Sequence, residues 1–169
     1  MDPKLIVAIV AITAALALYT SGVFFERKAG GLDLRSLALF WAGLVFDTTG
    51  TTLMTSIARS DGGAGGQFGA HAVTGALAIV LMAAHACWAA YVHFKGGERS
   101  KETFHKFSTA VWTLWLVPYV MGMLIGIPAI GMRPVCAAGT SVVVAAVVAV
   151  AMAAGDFRRG RSVDHVRAR

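Results

Sequence analysis

Long apolar stretches separated by short polar ones organise this chain. Five continuous apolar runs cover residues 5–25, 37–58, 68–94, 103–132 and 135–154. An α-helix of about 20 residues crosses a hydrocarbon core about 30 Å thick, and each run is long enough to do so. The pattern therefore predicts an all-α fold, a polytopic membrane helix bundle with five transmembrane helices.

A secretory signal peptide is the alternative interpretation of the first run. Ala15-Leu16-Ala17 resembles a small-residue cleavage site, and Lys4 supplies a weak basic start. The apolar run continues to Phe25, however, which is too long for the hydrophobic region of a signal peptide. We therefore interpret it as the first transmembrane helix.

The composition supports a membrane protein of one domain. Of 169 residues, 57% are hydrophobic and 14% charged, with a mean hydropathy of +0.68, which is far from the composition of soluble proteins. Residues 1–157 are predicted to form a single transmembrane domain, and residues 158–169 a basic cytoplasmic tail. No phosphate-binding loop, dinucleotide fingerprint, nucleophile elbow or zinc-protease motif occurs, so a non-enzymatic role is favoured over a membrane oxidoreductase subunit.

Basic residues separate sharply between the two sides of the predicted bundle. Twelve of the 15 lysines and arginines follow helices one, three and five, and the others are Lys4, Arg59 and Arg133. Because lysine and arginine are retained in the cytoplasm, we expect the N-terminus outside and the C-terminus inside. The net charge of +6 then reflects topology. The expected partner of the tail is the anionic inner leaflet, not nucleic acid.

Ionisable residues inside the spans are the candidates for chemistry, because they are costly in lipid. On the third helix, one stripe within about 40° of rotation contains three histidines separated mainly by small residues. Its members are His71, Gly75, Ala78, Met82, His85, Ala89 and His93. Gly75 and the alanines leave space for a planar macrocycle beside the backbone. His93, at the inner interface, is interpreted as a headgroup-level residue.

The fourth helix presents a matching face. Its members are His105, Thr109, Trp112, Leu116, Tyr119 and Met123. His85 and His105 lie about 13 Å and about 8 Å from the inner ends of their helices, so they are at similar depth. Two imidazoles facing each other across a bundle can hold a six-coordinate b-type haem iron. The absence of C-x-x-C-H excludes covalent attachment, and Trp112 and Tyr119 are candidates to contact the macrocycle.

Two further residues extend the candidate site. His71, about 21 Å from His85 along the helix, could ligate a second haem, bind a propionate or cap the helix. Asp47 lies near the middle of helix two, and Thr48, Thr51 or a histidine of helix three could satisfy it. As an acceptor for an imidazole N–H it would fix the tautomer of a ligand. Simpler interpretations stay open, since membrane histidines often serve as hydrogen-bonding residues and Asp47 could relay protons.

Several motifs resemble the HsmA family, small bacterial membrane proteins described as haem-sensing or haem-binding and linked to protection from haem and oxidative stress. They are FDTTGTTLM at residues 46–54, HAVTG at 71–75, LMAAHACWA at 81–89, FHKFS at 104–108, VW at 111–112 and WLVPY at 115–119. The resemblance runs from Tyr19 to Met123. It implies a bacterial inner-membrane location and a haem site involving Asp47, His71, His85 and His105, without assigning axial ligands. The family core has about four helices, so the fifth helix and the tail are additions here.

Three functions follow as hypotheses. The first is a haem-binding protein that sequesters haem b, in one or two copies. The second is a b-type cytochrome that moves electrons across the membrane, with a quinone or a redox protein as partner. The third is a transporter or proton pathway around Asp47, although no inverted repeat is visible. A homo-oligomer is compatible with each.

Overall fold

All five predicted helices are present in the computed structural model. The structure describes the backbone of residues 3–60, 67–126 and 130–167, and side chains over residues 3–60, 73–97, 100, 103–126 and 130–155. The helices are α1 Pro3–Ala29, α2 Leu34–Ser60, α3 Gln67–Lys95, α4 Glu98–Gly126 and α5 Pro134–Arg167. Each contains a stretch long and apolar enough to span a membrane. The predicted all-α, multi-pass fold is confirmed.

The last two helices differ in length from the apolar runs. The fourth run extends to residue 132, but residues 131–133 are not helical, and Gly131 has a φ of +49°. A residue in this left-handed conformation cannot continue a right-handed helix, and Pro134 suits the first position of the next one. Helix α5 continues to Arg167. Most of the basic segment after residue 157 is therefore part of that helix.

Four of the helices close into a bundle. Helix α1 packs along α2, α2 against α3 and α3 against α4, and α4 returns to α1. The connections at residues 30–33 and 96–97 are short, so the helices that they join are antiparallel neighbours. Helix α5 packs on the outside of α4. We call the end of the bundle that carries these two connections the basic end, because Arg27, Lys28 and Lys95 lie there.

Glycines allow α1 and α2 to approach closely. A Cβ atom at Gly43 would lie 2.6 Å from the Tyr19 ring, and one at Gly22 would lie 2.7 Å from the Phe40 ring. Each aromatic ring thus fills the space that a glycine on the opposite helix leaves. Close approach through small residues is a common way for membrane helices to associate, since lipid provides little hydrophobic driving force between them.

The fifth helix is attached at the basic end. Arg27 of α1 donates hydrogen bonds to the sulfur and the carbonyl oxygen of Met152, at 3.1 and 3.2 Å. Met152 and Val148 also pack on the buried core. Other valines of α5, such as Val143 and Val147, are exposed to the surroundings. The four-helix core with one additional C-terminal helix is the arrangement expected from the sequence.

Candidate functional site

Buried polar side chains form two groups inside the bundle. One group lies toward the basic end and consists of Glu26, His85, His105 and Ser108, which we call the histidine cluster. The other lies deeper in the bundle around Asp47. Since a polar group in a membrane interior is costly, each group needs partners from several helices.

His85 faces the interior because it belongs to the stripe of small residues on α3. Ala78, Met82, His85 and Ala89 are all buried, as the spacing predicts. His85 is 0% exposed, and its Nε2 atom lies 3.1 Å from the Ser108 hydroxyl of α4. Its Nδ1 atom has no hydrogen-bond partner among the described residues. One ring nitrogen is therefore hydrogen-bonded, and the other is buried without a described partner.

Aromatic rings enclose the His85 imidazole. Phe104 of α4 stacks on it with a centroid distance of 5.3 Å and an interplanar angle of 5°. Phe40 of α2 meets it edge-on at 4.5 Å, and Phe107 lies at 6.1 Å. These rings and the neighbouring helices leave the His85 side chain with no exposed surface.

His105 has the opposite arrangement of its nitrogens. Its Nδ1 atom lies 3.3 Å from Oε1 of Glu26 on α1, and no hydrogen bond to Nε2 is found in the described part of the chain. The side chain of His105 is 34% exposed, whereas that of Glu26 is 2% exposed. His105 is thus the accessible imidazole of the cluster, oriented by a buried carboxylate.

Glu26 is a member of the site that the apolar pattern did not predict, because the first apolar run ends one residue earlier, at Phe25. The structure places it on the last turns of α1, seven residues after Tyr19 and four after Gly22, and all three are buried. This helical spacing is the signal that could have identified it. Its Oε2 atom has no hydrogen-bond partner among the described residues, while Ser108 and Arg27 lie close enough to act on its charge.

Asp47 has different partners from those expected. Its Oδ2 atom accepts hydrogen bonds from Trp115 Nε1 at 2.8 Å and from the Tyr19 hydroxyl at 3.4 Å. Thr51, one of the expected partners, also interacts with the carboxylate. No histidine is among the hydrogen-bond partners found in the described part of the chain. Asp47 therefore joins α1, α2 and α4, and its hydrogen bonds to described side chains are with Trp115 and Tyr19.

The two aromatic residues proposed as macrocycle contacts pack elsewhere in the bundle, Tyr119 near Asp47 and Trp112 against α1. Tyr119 is half-buried and stacks on Trp115, with ring centroids 5.4 Å apart. Trp112 is buried and donates a hydrogen bond from Nε1 to the Thr20 hydroxyl of α1 at 3.2 Å. Both residues face the interior of the bundle. Neither has a described contact with His85 or His105.

The outer part of the stripe on α3 is less completely described. Gly75 is half-buried, and a Cβ atom there would lie 3.9 Å from Thr51 of α2. It is an ordinary helix contact with room for a side chain. His71 lies within α3, but its side chain is outside the described residues.

The histidine cluster offers imidazole nitrogens as its candidate donors to a ligand. Where side chains are described, no group of three or more His, Cys, Asp or Glu residues could hold a metal ion. A porphyrin supplies four nitrogens to its iron and needs only one or two axial ligands. Imidazoles with one bonded and one available nitrogen fit that requirement.

Comparison of the chain with protein-family models, with curated proteins and with solved structures finds no match. The fold and the site define a multi-pass membrane helix bundle with a buried histidine–carboxylate cluster toward one end.

Proposed function

We propose that this protein binds haem in the membrane, with a b-type haem held by histidines between α3 and α4, and that it sequesters haem and protects against oxidative stress. The observation that carries the proposal is the geometry of His105. Its Nδ1 atom is tied to a buried carboxylate and its Nε2 atom is available. Metal-ligating histidines usually have this arrangement, because the second hydrogen bond fixes the tautomer and the ring orientation.

His85 is the second proposed ligand. Its unpartnered Nδ1 atom lies in a fully buried, aromatic environment on the neighbouring helix. The rings of Phe40 and Phe104 beside it are flat and apolar, and such side chains are suitable neighbours for a macrocycle. Bound haem would supply a redox-active iron with a strong visible absorption. His71 remains the candidate ligand for a second haem.

The orientation is part of the proposal. We place the protein in the inner membrane of a bacterium, with the N-terminus outside and the basic end in the cytoplasm. The support is the distribution of charge, with twelve basic residues on that side and three on the other. The histidine cluster would then lie in the cytoplasmic half of the membrane.

An absorption spectrum of protein purified after haem-replete expression tests the proposal. We expect a Soret band, reduced α and β bands after addition of dithionite, and one or two haems per chain by pyridine haemochrome. Absence of a Soret band would overturn haem binding. Reduction by a quinol analogue within seconds would favour electron transfer over sequestration.

Single variants test the ligand assignment. His105→Ala and His85→Ala are expected to lose haem or to change its spectrum, because each removes an axial imidazole. His93→Ala is the matched control, since His93 lies on the same stripe of α3 and contacts the Leu32 carbonyl oxygen at 3.4 Å. If all three variants keep the wild-type spectrum, His85 and His105 are not ligands. His71→Ala then tests the remaining candidate.

A further inference from the structure

We propose that Glu26 is the positioning residue for His105: its carboxylate accepts the Nδ1–H of the imidazole and so presents Nε2, with an increased electron density, to the haem iron. This inference rests on the proposed function and deepens it, because it assigns the control of the redox potential to a residue of α1. Glu26 itself does not touch the iron.

Burial is the first argument for this role. Glu26 is 2% exposed, although it lies only three residues before the end of α1. A carboxylate is retained in such a place at a cost unless a specific partner compensates it. Its direct hydrogen-bond partner is the His105 imidazole, at 3.3 Å.

Geometry is the second argument. The neighbouring Arg27 directs two of its guanidinium nitrogens to Met152 of α5, while Glu26 contacts His105 of α4. Ser108, which also lies near Glu26, forms its hydrogen bond with His85. The carboxylate thus lies near Ser108, the partner of His85, and bonds His105, the more accessible of the two proposed ligands.

The chemical consequence follows from charge. An imidazole that donates Nδ1–H to a carboxylate has a more basic Nε2 atom, and a stronger donor favours ferric over ferrous iron. Replacement of Glu26 by glutamine removes the negative charge and keeps the shape and one acceptor oxygen. If the preference of the site for ferric over ferrous iron falls tenfold, the one-electron reduction potential rises by about 59 mV.

The experiment compares wild type, Glu26→Gln and Asp33→Asn by redox titration and haem affinity. Asp33 is the matched control, because it lies at the same end of the bundle outside the histidine cluster and asparagine preserves its capping role. We expect Glu26→Gln to raise the potential by about 59 mV or more and to weaken ferric haem binding about 10–100-fold. For Asp33→Asn we expect a change in affinity of less than about twofold, since Asp33 bonds Ser36 and neither proposed ligand.

If the redox potential of Glu26→Gln shifts no more than that of Asp33→Asn, the role of Glu26 is wrong. Haem binding itself would be unaffected by that result. Absence of haem from the wild type would instead overturn the proposed function. If Glu26→Gln does not fold, the tautomer of His105 in the wild-type protein tests the role of Glu26 instead. By ¹⁵N NMR of the haem-free protein, we expect the Nδ1-protonated form of His105, and the Nε2-protonated form would contradict the role of Glu26.

Discussion

The Trp115 indole of α4 donates a hydrogen bond of 2.8 Å to the Asp47 carboxylate of α2, deep inside the bundle. The Tyr19 hydroxyl approaches the same oxygen at 3.4 Å, and the Tyr19 and Trp115 rings meet edge to face at 5.1 Å. Three helices are thus joined at one carboxylate oxygen. The stability of the bundle should depend on these donors.

Trp115→Phe is expected to destabilise the protein by about 0.5–2 kcal/mol, because Asp47 loses its shorter hydrogen bond while most of the aromatic packing remains. The free energy of unfolding in detergent measures the effect. Trp41→Phe is the control, since Trp41 is an exposed tryptophan of α2. Equal losses in the two variants would show that the Asp47 bond contributes nothing specific.

Gly43→Ala is expected to destabilise the α1–α2 pair by about 1–3 kcal/mol, because the added methyl group must displace the buried Tyr19 ring. The same measurement applies. Gly139→Ala in α5 is the matched control, since no atom lies within 4 Å of a Cβ placed there, and it should be neutral or slightly stabilising. The prediction fails if the two substitutions have the same effect.

Asp33 supports the start of α2 in a pH-dependent manner. Its Oδ1 atom accepts a hydrogen bond from the Ser36 N–H at 2.8 Å. The side chain of Ser36, and after it the Ser36 backbone, holds the pKa of Asp33 below its usual 3.8. Because the pKa of Asp33 is lowered in the folded state, the carboxylate contributes fully to the free energy of unfolding above about pH 4. This contribution disappears as the pH falls through the lowered pKa.

Asp33→Ala should therefore destabilise the protein at pH 7, by about 0.5–2 kcal/mol, and Asp33→Asn should have little effect. Unfolding of the wild type and Asp33→Ala at pH 7 and pH 3 checks the sign. The difference between them should decrease at the lower pH. A difference that grows on acidification would contradict the assignment.

Arg27→Gln is expected to loosen the attachment of α5, since two hydrogen bonds to Met152 are lost. Amide exchange around Met152 in detergent should become roughly threefold to tenfold faster, as these bonds are only partly buried. Lys28→Gln removes the same charge from the next, exposed position and should leave exchange unchanged. Equal protection in both variants would mean that Arg27 does not attach the helix.

The sequence predicted the five helices because lipid requires long apolar segments, and this requirement is visible residue by residue. It also predicted that His85 faces the interior, since small and apolar residues share its stripe on α3. Glu26 escaped prediction because Arg27 and Lys28 follow it directly and make the segment resemble a loop. The pairing of Asp47 with Trp115 and Tyr19 could not be predicted either. Periodicity shows which face of a helix is buried, but not which side chain on another helix it will meet.

The two-residue connection between α3 and α4 has a consequence for biogenesis. His85 and Ser108 lie on either side of this connection, so their contact can form as soon as the two helices are inserted as a hairpin. Glu26 comes from α1, which is synthesised first, and it reaches His105 only when α1 docks against α4. Completion of the histidine cluster therefore coincides with closure of the bundle, and an incompletely assembled chain lacks the oriented imidazole.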